Sequence, residues 1–277
     1  MRTEVLERST WTPWFVTTPS EADVAAYEDL IGSPRASGVP LTLIAASAQT
    51  AIRAVLSSVI DGRDLTGVVH LSELVACDPV PTRDRGLRCR SRLVAVAPTA
   101  RGAAIEVATE HAHDDGMAVG WSRSGLLLVG ERVDGRWRRA RDLVPELVED
   151  RGGGALPEGL EIDLPPDLGR RYAELSGDDN PIHLDDDAAR AAGFPSAILH
   201  GMCVFAMAVS AVAATTPGCP VPIRAGTRFA RPVVGGERLR IGFSVRSDDG
   251  GRAFRFRAES KAGTALRAGH VWTQGRP

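Results

Sequence analysis

The chain has 277 residues, enough for one large domain or two ordinary ones, with 43% hydrophobic and 25% charged residues. A formal net charge of −2 and a pI near 6.3 argue against a general binder of nucleic acid or of anionic membranes. The four cysteines, Cys77, Cys89, Cys203 and Cys219, have neither C-x-x-C nor zinc-like spacing, so free thiols in a cytoplasmic protein are expected.

The first predicted helix lies within the segment Val24–Ser33 and stops near Gly32. A second, apolar and rich in small residues, runs from Leu41 to Ile60 as a core helix. Strand-like alternation follows, with Leu87, Cys89, Ser91 and Leu93 on one face and Arg88, Arg90 and Arg92 on the other. His111-x-His113 lies at a strand end with no third ligand in reach by sequence. The stretch Glu149–Pro157, rich in glycine and charge without periodicity, is the expected boundary between units 1–149 and 150–277.

Beyond it the plan repeats. Tyr27, Leu30 and Gly32 align with Tyr172, Leu175 and Gly177, and the helix Gly201–Ala213 answers Leu41–Ile60. The run Ile198–Ala214 is too short to span a bilayer. Leu239, Ile241, Phe243 and Val245 form one more apolar face, Phe254 and Phe256 sit between arginines, and Leu266, Ala268, His270 and Trp272 continue the pattern. From Gly32 to Pro79 is 47 positions, but from Gly177 to Pro232 is 55. The first copy lacks the segment holding Asp178, Asn180 and His183, and Ser33 stands in place of Asp178.

That segment carries the chemistry. Pro181 keeps Asn180 out of helical conformation, so the helix through Tyr172 must stop near Gly177. Asp178 and His183 then occupy a stiff corner where both can converge on one water, as hydration or dehydration requires. Asn180 is either turn chemistry or an orienting amide. Asp185-Asp186-Asp187 lacks the alternate ligands of a calcium loop and reads as first-turn acids of a short helix over 188–192. Arg224, Arg228 and Arg231 are candidates for phosphate contacts, against a default of solvated strand faces.

Tyr172-x-x-x-Ser176-Gly177-Asp178-x-Asn180-Pro181-Ile182-His183 resembles the signature of the MaoC-like (type 2) enoyl-CoA hydratases. The likeness continues through Gly193-Phe194-Pro195, Ile198-Leu199-His200-Gly201-Met202 and Arg228–Val233, covering roughly residues 160–277. It implies an α+β double hot-dog fold, two antiparallel sheets each wrapped around a long central helix, with the first unit a degenerate copy that keeps only the scaffold. It also implies a hydro-lyase that adds water to trans-2-enoyl thioesters, giving (R)-3-hydroxyacyl thioesters, or runs the reverse, with no metal and no redox cofactor. Asp178, His183 and Asn180 fall on the catalytic segment and Gly201 on the oxyanion-binding amide, while Phe194, Met202, Arg228 and Arg231 are substrate-binding candidates. His200 is expected to be a structural neighbour. The implied partner is an acyl-CoA or acyl-carrier-protein thioester, without nucleic acid or membrane. The two units form an intramolecular pseudo-dimer, and pairing into a homodimer stays open. A carrier-protein-dependent dehydratase of fatty-acid or polyketide assembly and a non-catalytic acyl-thioester-binding subunit are the alternatives. The gap in the first copy leads us to expect an acyl tunnel towards its central helix, between Leu41 and Leu56. The single lysine, Lys261, among 33 basic residues suggests a GC-rich, actinobacterial genome.

Overall fold

The computed structural model describes residues 9–34, 38–60, 67–133, 156, 158–215, 221–248 and 251–274. The first half contributes strands β1 (Phe15–Val16), β2 (Val68–Cys77), β3 (Leu87–Thr99), β4 (Gly102–His113) and β5 (Ala118–Val129), with helices α1 (Glu21–Ile31), α2 (Leu41–Ala46) and α3 (Gln49–Val59). The second contributes β6 (Glu158–Asp163), α4 (Leu168–Ser176), α5 (Asp186–Ala191), α6 (Gly201–Ala214), β7 (Pro222–Phe229), β8 (Arg238–Asp248), β9 (Gly251–Ser260) and β10 (Gly263–Gln274). The expected boundary at 149/150 lies outside the described residues.

Each half folds its antiparallel strands over helices, and the two sheets join edge to edge. β2 pairs with β7, Leu74 opposite Gly226, giving one ten-stranded sheet in the order β1-β3-β4-β5-β2-β7-β10-β9-β8-β6. The join leaves neither inner edge unpaired, the usual hazard of a half-sheet.

The repeat is visible at the helices. A capping box starts α1: Ser20 Oγ accepts from Asp23 N at 3.1 Å, and Ser20 N donates to Asp23 Oδ2 at 3.0 Å. Gly32 (φ 67°) and Gly177 (φ 70°) end α1 and α4 in the left-handed region, where glycine carries no Cβ penalty. The buried rings of Tyr27 and Tyr172 meet with centroids 6.1 Å apart, so the two copies pack against each other.

Three sequence expectations are corrected by the structure. The helix expected from Leu41 to Ile60 breaks after Ala46. Ser47 Oγ donates to Ile44 O at 2.9 Å and Ala48 N reaches Ala45 O, a tighter turn than an α-helix makes. The break separates two roles: α2 packs in the core that α6 and the second sheet share, whereas α3 packs on the first sheet through Ile52, Val55 and Val59. The stretch Leu41–Val59 is long and apolar enough to cross a membrane by length and composition, but it is a largely buried core segment.

The alternation expected along β10 also fails halfway. Ala268 takes φ 51°, and the pairing register shifts between Leu266 and Gly269. A bulge of this kind exchanges the two faces. Leu266 is buried as expected, but Val271 and Thr273 take the inner positions while His270 and Trp272 are only half-buried. Val245, expected inside, is 46% exposed near the end of β8, beyond the buried run Leu239, Ile241 and Phe243. β3 follows its expected pattern, and its arginines stack outward on Trp11 and Trp14.

Candidate active site

The site is built by the corner that leaves α4. After Gly177, Asp178 N donates to Ser176 Oγ at 3.2 Å, and Asp178 Oδ1 accepts from Asn180 N at 3.4 Å. Asn180 Oδ1 then accepts from Ile182 N at 3.3 Å and caps the 3₁₀ turn Pro181–His183. The amide oxygen of Asn180 is therefore committed to holding the corner that orients His183.

His183 Nδ1 lies 2.8 Å from Ile198 O. A carbonyl can only accept, so Nδ1 carries the proton and Nε2 is left as a lone-pair base. Burial pushes the His183 pKa below its ordinary 6.5, against the upward pull of Asp178, and this favours the neutral base. The His200 ring lies behind it, centroids 3.8 Å apart, and its Nε2 donates to the backbone carbonyl of Asp178 at 2.9 Å. Burial, with the His183 ring beside it, takes His200 down to about 4. Tyr172 packs on His200 at 4.9 Å, fixing the ring from below. One ligand atom each of Asp178, His183 and His200 lies within 4.8 Å of the others. The same three groups could surround a cation, with one carboxylate and two imidazoles as the donor set.

Gly201 opens α6 directly after His200. Amides in a first turn have no intrahelical carbonyl, and the helix dipole adds positive potential there. A Cβ on Gly201 would come within 2.8 Å of the Phe229 ring, so glycine is also required for close packing on β7.

A cavity of about 440 Å³ runs over this corner, lined among others by Asp178, His183, Phe194, Gly201, Met202 and Arg231. A second, of about 280 Å³, is lined by Gln49, Ile52, Arg53 and Leu56 of α3. The two share Val68, His70, Asp178 and His183, so the same four side chains border the reactive corner and the cavity beside the first half's helix. Arg228 lines neither cavity. It precedes Phe229, which does face the cavity, and the strand pleat sends neighbouring side chains to opposite faces.

Two residues of the site carried no signal in the sequence. Arg53 of α3 reaches across to the corner, forming an ion pair with Asp179 and lying 3.8 Å from Asp178. His70 of β2 lines both cavities and meets the Phe229 ring at a tilt of 46°, centroids 4.6 Å apart. Both belong to the first half and meet the corner only through the fold. The other polar motifs have structural partners. Asp185 caps α5 through Ala188 N, His111 meets Ser122 at 3.2 Å, and His113 meets Gly86 O at 3.0 Å. Arg224 lies over the rings of Trp121 and Trp272. Cys77, Cys89 and Cys203 are buried free thiols, and Cys219 lies outside the described residues.

Residues 154–263 match the family model described as MaoC like domain. An enoyl-CoA hydratase of Mycobacterium tuberculosis, ChsH3, is 30% identical over 185 residues, 64% of this chain and 61% of its own, so the chain spans less than two thirds of that relative. A MaoC-like dehydratase structure from Phytophthora capsici superposes with TM-score 0.79 at 18% identity, covering 98% of this chain and 97% of its own. A Mycobacterium tuberculosis protein described as having a double hotdog fold superposes with TM-score 0.61 at 13% identity, covering 94% and 95%. The architecture of this chain is accordingly a double hot-dog.

Proposed function

We propose that this chain, which carries a MaoC-like domain over residues 154–263, is a hydro-lyase that reversibly hydrates trans-2-enoyl thioesters to (R)-3-hydroxyacyl thioesters. The observation that carries the reading is the convergence of the Asp178 carboxylate with His183 and His200 inside 4.8 Å, beside the opening turn of α6.

In the hydration direction, the water is held between Asp178 and Nε2 of His183. Its oxygen forms the bond to C3 as one of its protons passes to this pair. The C2–C3 π electrons move to C2, and charge builds on the thioester oxygen. The Gly201 N–H and the dipole end of α6 stabilise that charge. A proton returns from the pair to C2, so one water is added and the site is regenerated. Asn180 holds the corner, and His200 fixes Asp178 through its backbone carbonyl. General acid–base chemistry supplies ~10²–10⁴-fold and one oxyanion donor ~10²–10³-fold. Dehydration is the same path in reverse, so a carrier-protein dehydratase would use the same atoms.

In this reading residues 1–149 are the scaffold that closes the site and 150–277 carry the chemistry. Phe194 and Met202 line the thioester's path, Arg231 at the cavity wall meets the carrier's phosphates, and Arg228, on the other face, is released from that role. The buried free thiols suit a cytoplasmic compartment. The test is the loss of conjugated-thioester absorbance with crotonyl-, octenoyl- and longer enoyl-CoA, followed by chiral analysis of the product. An (R)-3-hydroxyacyl product supports the reading, and no hydration of any chain length, or an (S) product, overturns it.

A further inference from the structure

The cavity against α3 is not lined as a pocket for a plain alkyl chain would be. Ile52, Leu56, Val68 and Leu126 supply apolar wall, but Gln49 and His70 stand among them. His70 Nε2 lies 3.1 Å from Glu73 Oε2, and Glu73 is 2% exposed. This contact fixes the imidazole ring and leaves its Nδ1 edge without a partner among the described residues. The side-chain amide of Gln49 likewise has no partner among them. Burying a carboxylate is costly unless it is hydrogen-bonded, and His70 supplies such a partner to Glu73. An alkyl chain filling this space would strip water from the Gln49 amide and the His70 edge and return no hydrogen bond.

We infer that the first half holds a polar recognition site, His70 oriented by Glu73 together with Gln49, for an acyl chain bearing an oxygen function, a hydroxyl or oxo group, beyond C3. The inference rests on the thioester reading above and names its substrate class. His70 lines both cavities together with Asp178 and His183, so the oxygen sits on the segment of chain just past the reacting carbons. A hydroxyl there gives a proton to one group and accepts one from the other, whereas a methylene leaves both unpaired. Sites built around a hydrogen bond discriminate more sharply than purely apolar ones. The half that lost its catalytic corner would thereby have become the half that selects the substrate.

The test uses the full chain and saturated eight-carbon acyl-CoA thioesters, plain or with one hydroxyl at successive carbons beyond C3. None carries a double bond to hydrate, so calorimetry reads binding alone. We expect at least one hydroxylated chain to bind wild type about tenfold or more tighter than the plain chain, the scale of one unpaired buried polar group. His70→Leu should bring that ratio below about threefold without weakening the plain chain. Gln49→Leu leaves the His70–Glu73 pair in place and should lower the ratio too, which covers the case in which His70→Leu fails to fold. Plain chains binding wild type as tightly as every hydroxylated one, or a ratio that survives both substitutions, overturns the inference. Hydration of crotonyl-CoA, whose chain is too short for this site, is followed in parallel. Absence of hydration of crotonyl-CoA and of every longer enoyl-CoA would count against the hydro-lyase reading, whatever the binding ratio.

Discussion

Asp178 and His183 do different work although they meet at one point. His183 is a neutral base whose tautomer is set by Ile198 O, and Asp178 is a carboxylate whose backbone is tied to His200. His183→Ala should lower kcat by at least ~10²-fold with little change in unfolding midpoint, and pairing it with Asp178→Asn should be little worse than the poorer single variant. Ser33→Ala, at the equivalent place in the first copy, should leave turnover unchanged, since the Ser33 hydroxyl reaches only its neighbour's carbonyl among the described residues. No sequence signal points to Arg53. Its ion pair with Asp179 is solvent-exposed and adds little stability, but it holds the corner beside Asp178. Arg53→Ala should therefore lower kcat by about tenfold, a modest misplacement of the pair, while Arg53→Lys keeps much of the rate. Steady-state kinetics beside thermal melts separates these outcomes. The corner itself was legible because Gly177, Asn180 and Pro181 each dictate local backbone. Arg53 and His70 were not, because only the tertiary fold brings α3 and β2 to it.

Elements were legible where local chemistry decides and obscure where packing does. The left-handed glycines at 32 and 177 announce their helix ends in any context. The break at Ser47 has no proline or glycine to mark it, and the bulge at Ala268 puts a non-glycine residue at positive φ, which no periodicity foretells. The contact between α6 and β7 is testable by substitution. Gly201→Ala places a methyl against Phe229 and should cost about 1–3 kcal/mol of stability by overpacking. Turnover should fall as the turn shifts. Adding Phe229→Leu makes room, so the double variant should recover much of both, because alanine retains the amide N–H that binds the oxyanion. Denaturant melts and kcat on the three proteins check this. Recovery of stability without recovery of rate would move the oxyanion role away from Gly201.

The whole molecule behaves as one unit because its halves share a sheet through β2 and β7 and a core through Tyr27 and Tyr172. Its stability should depend on acid through buried histidines, His183 among them. Burial takes both His111 and His200 from 6.5 down to about 4. As their folded pKa values lie below the unfolded ones, their contribution is fully present above pH 6.5 and is lost as pH falls towards 4. Each contributes up to about 1.4 kcal/mol per pH unit across that window. His111→Gln should flatten the fall in unfolding free energy between those limits, read from urea melts at stepped pH. An unchanged slope would mean that His111 is not held neutral in the fold. The central claim, that the chain hydrates enoyl thioesters through the corner after α4, is tested most directly by single-turnover hydration of an enoyl-CoA by wild type and by folded Asp178→Asn. The account predicts turnover by wild type and a loss of at least ~10²-fold in the variant, with the circular dichroism spectrum unchanged. Equal rates from the two proteins would contradict it.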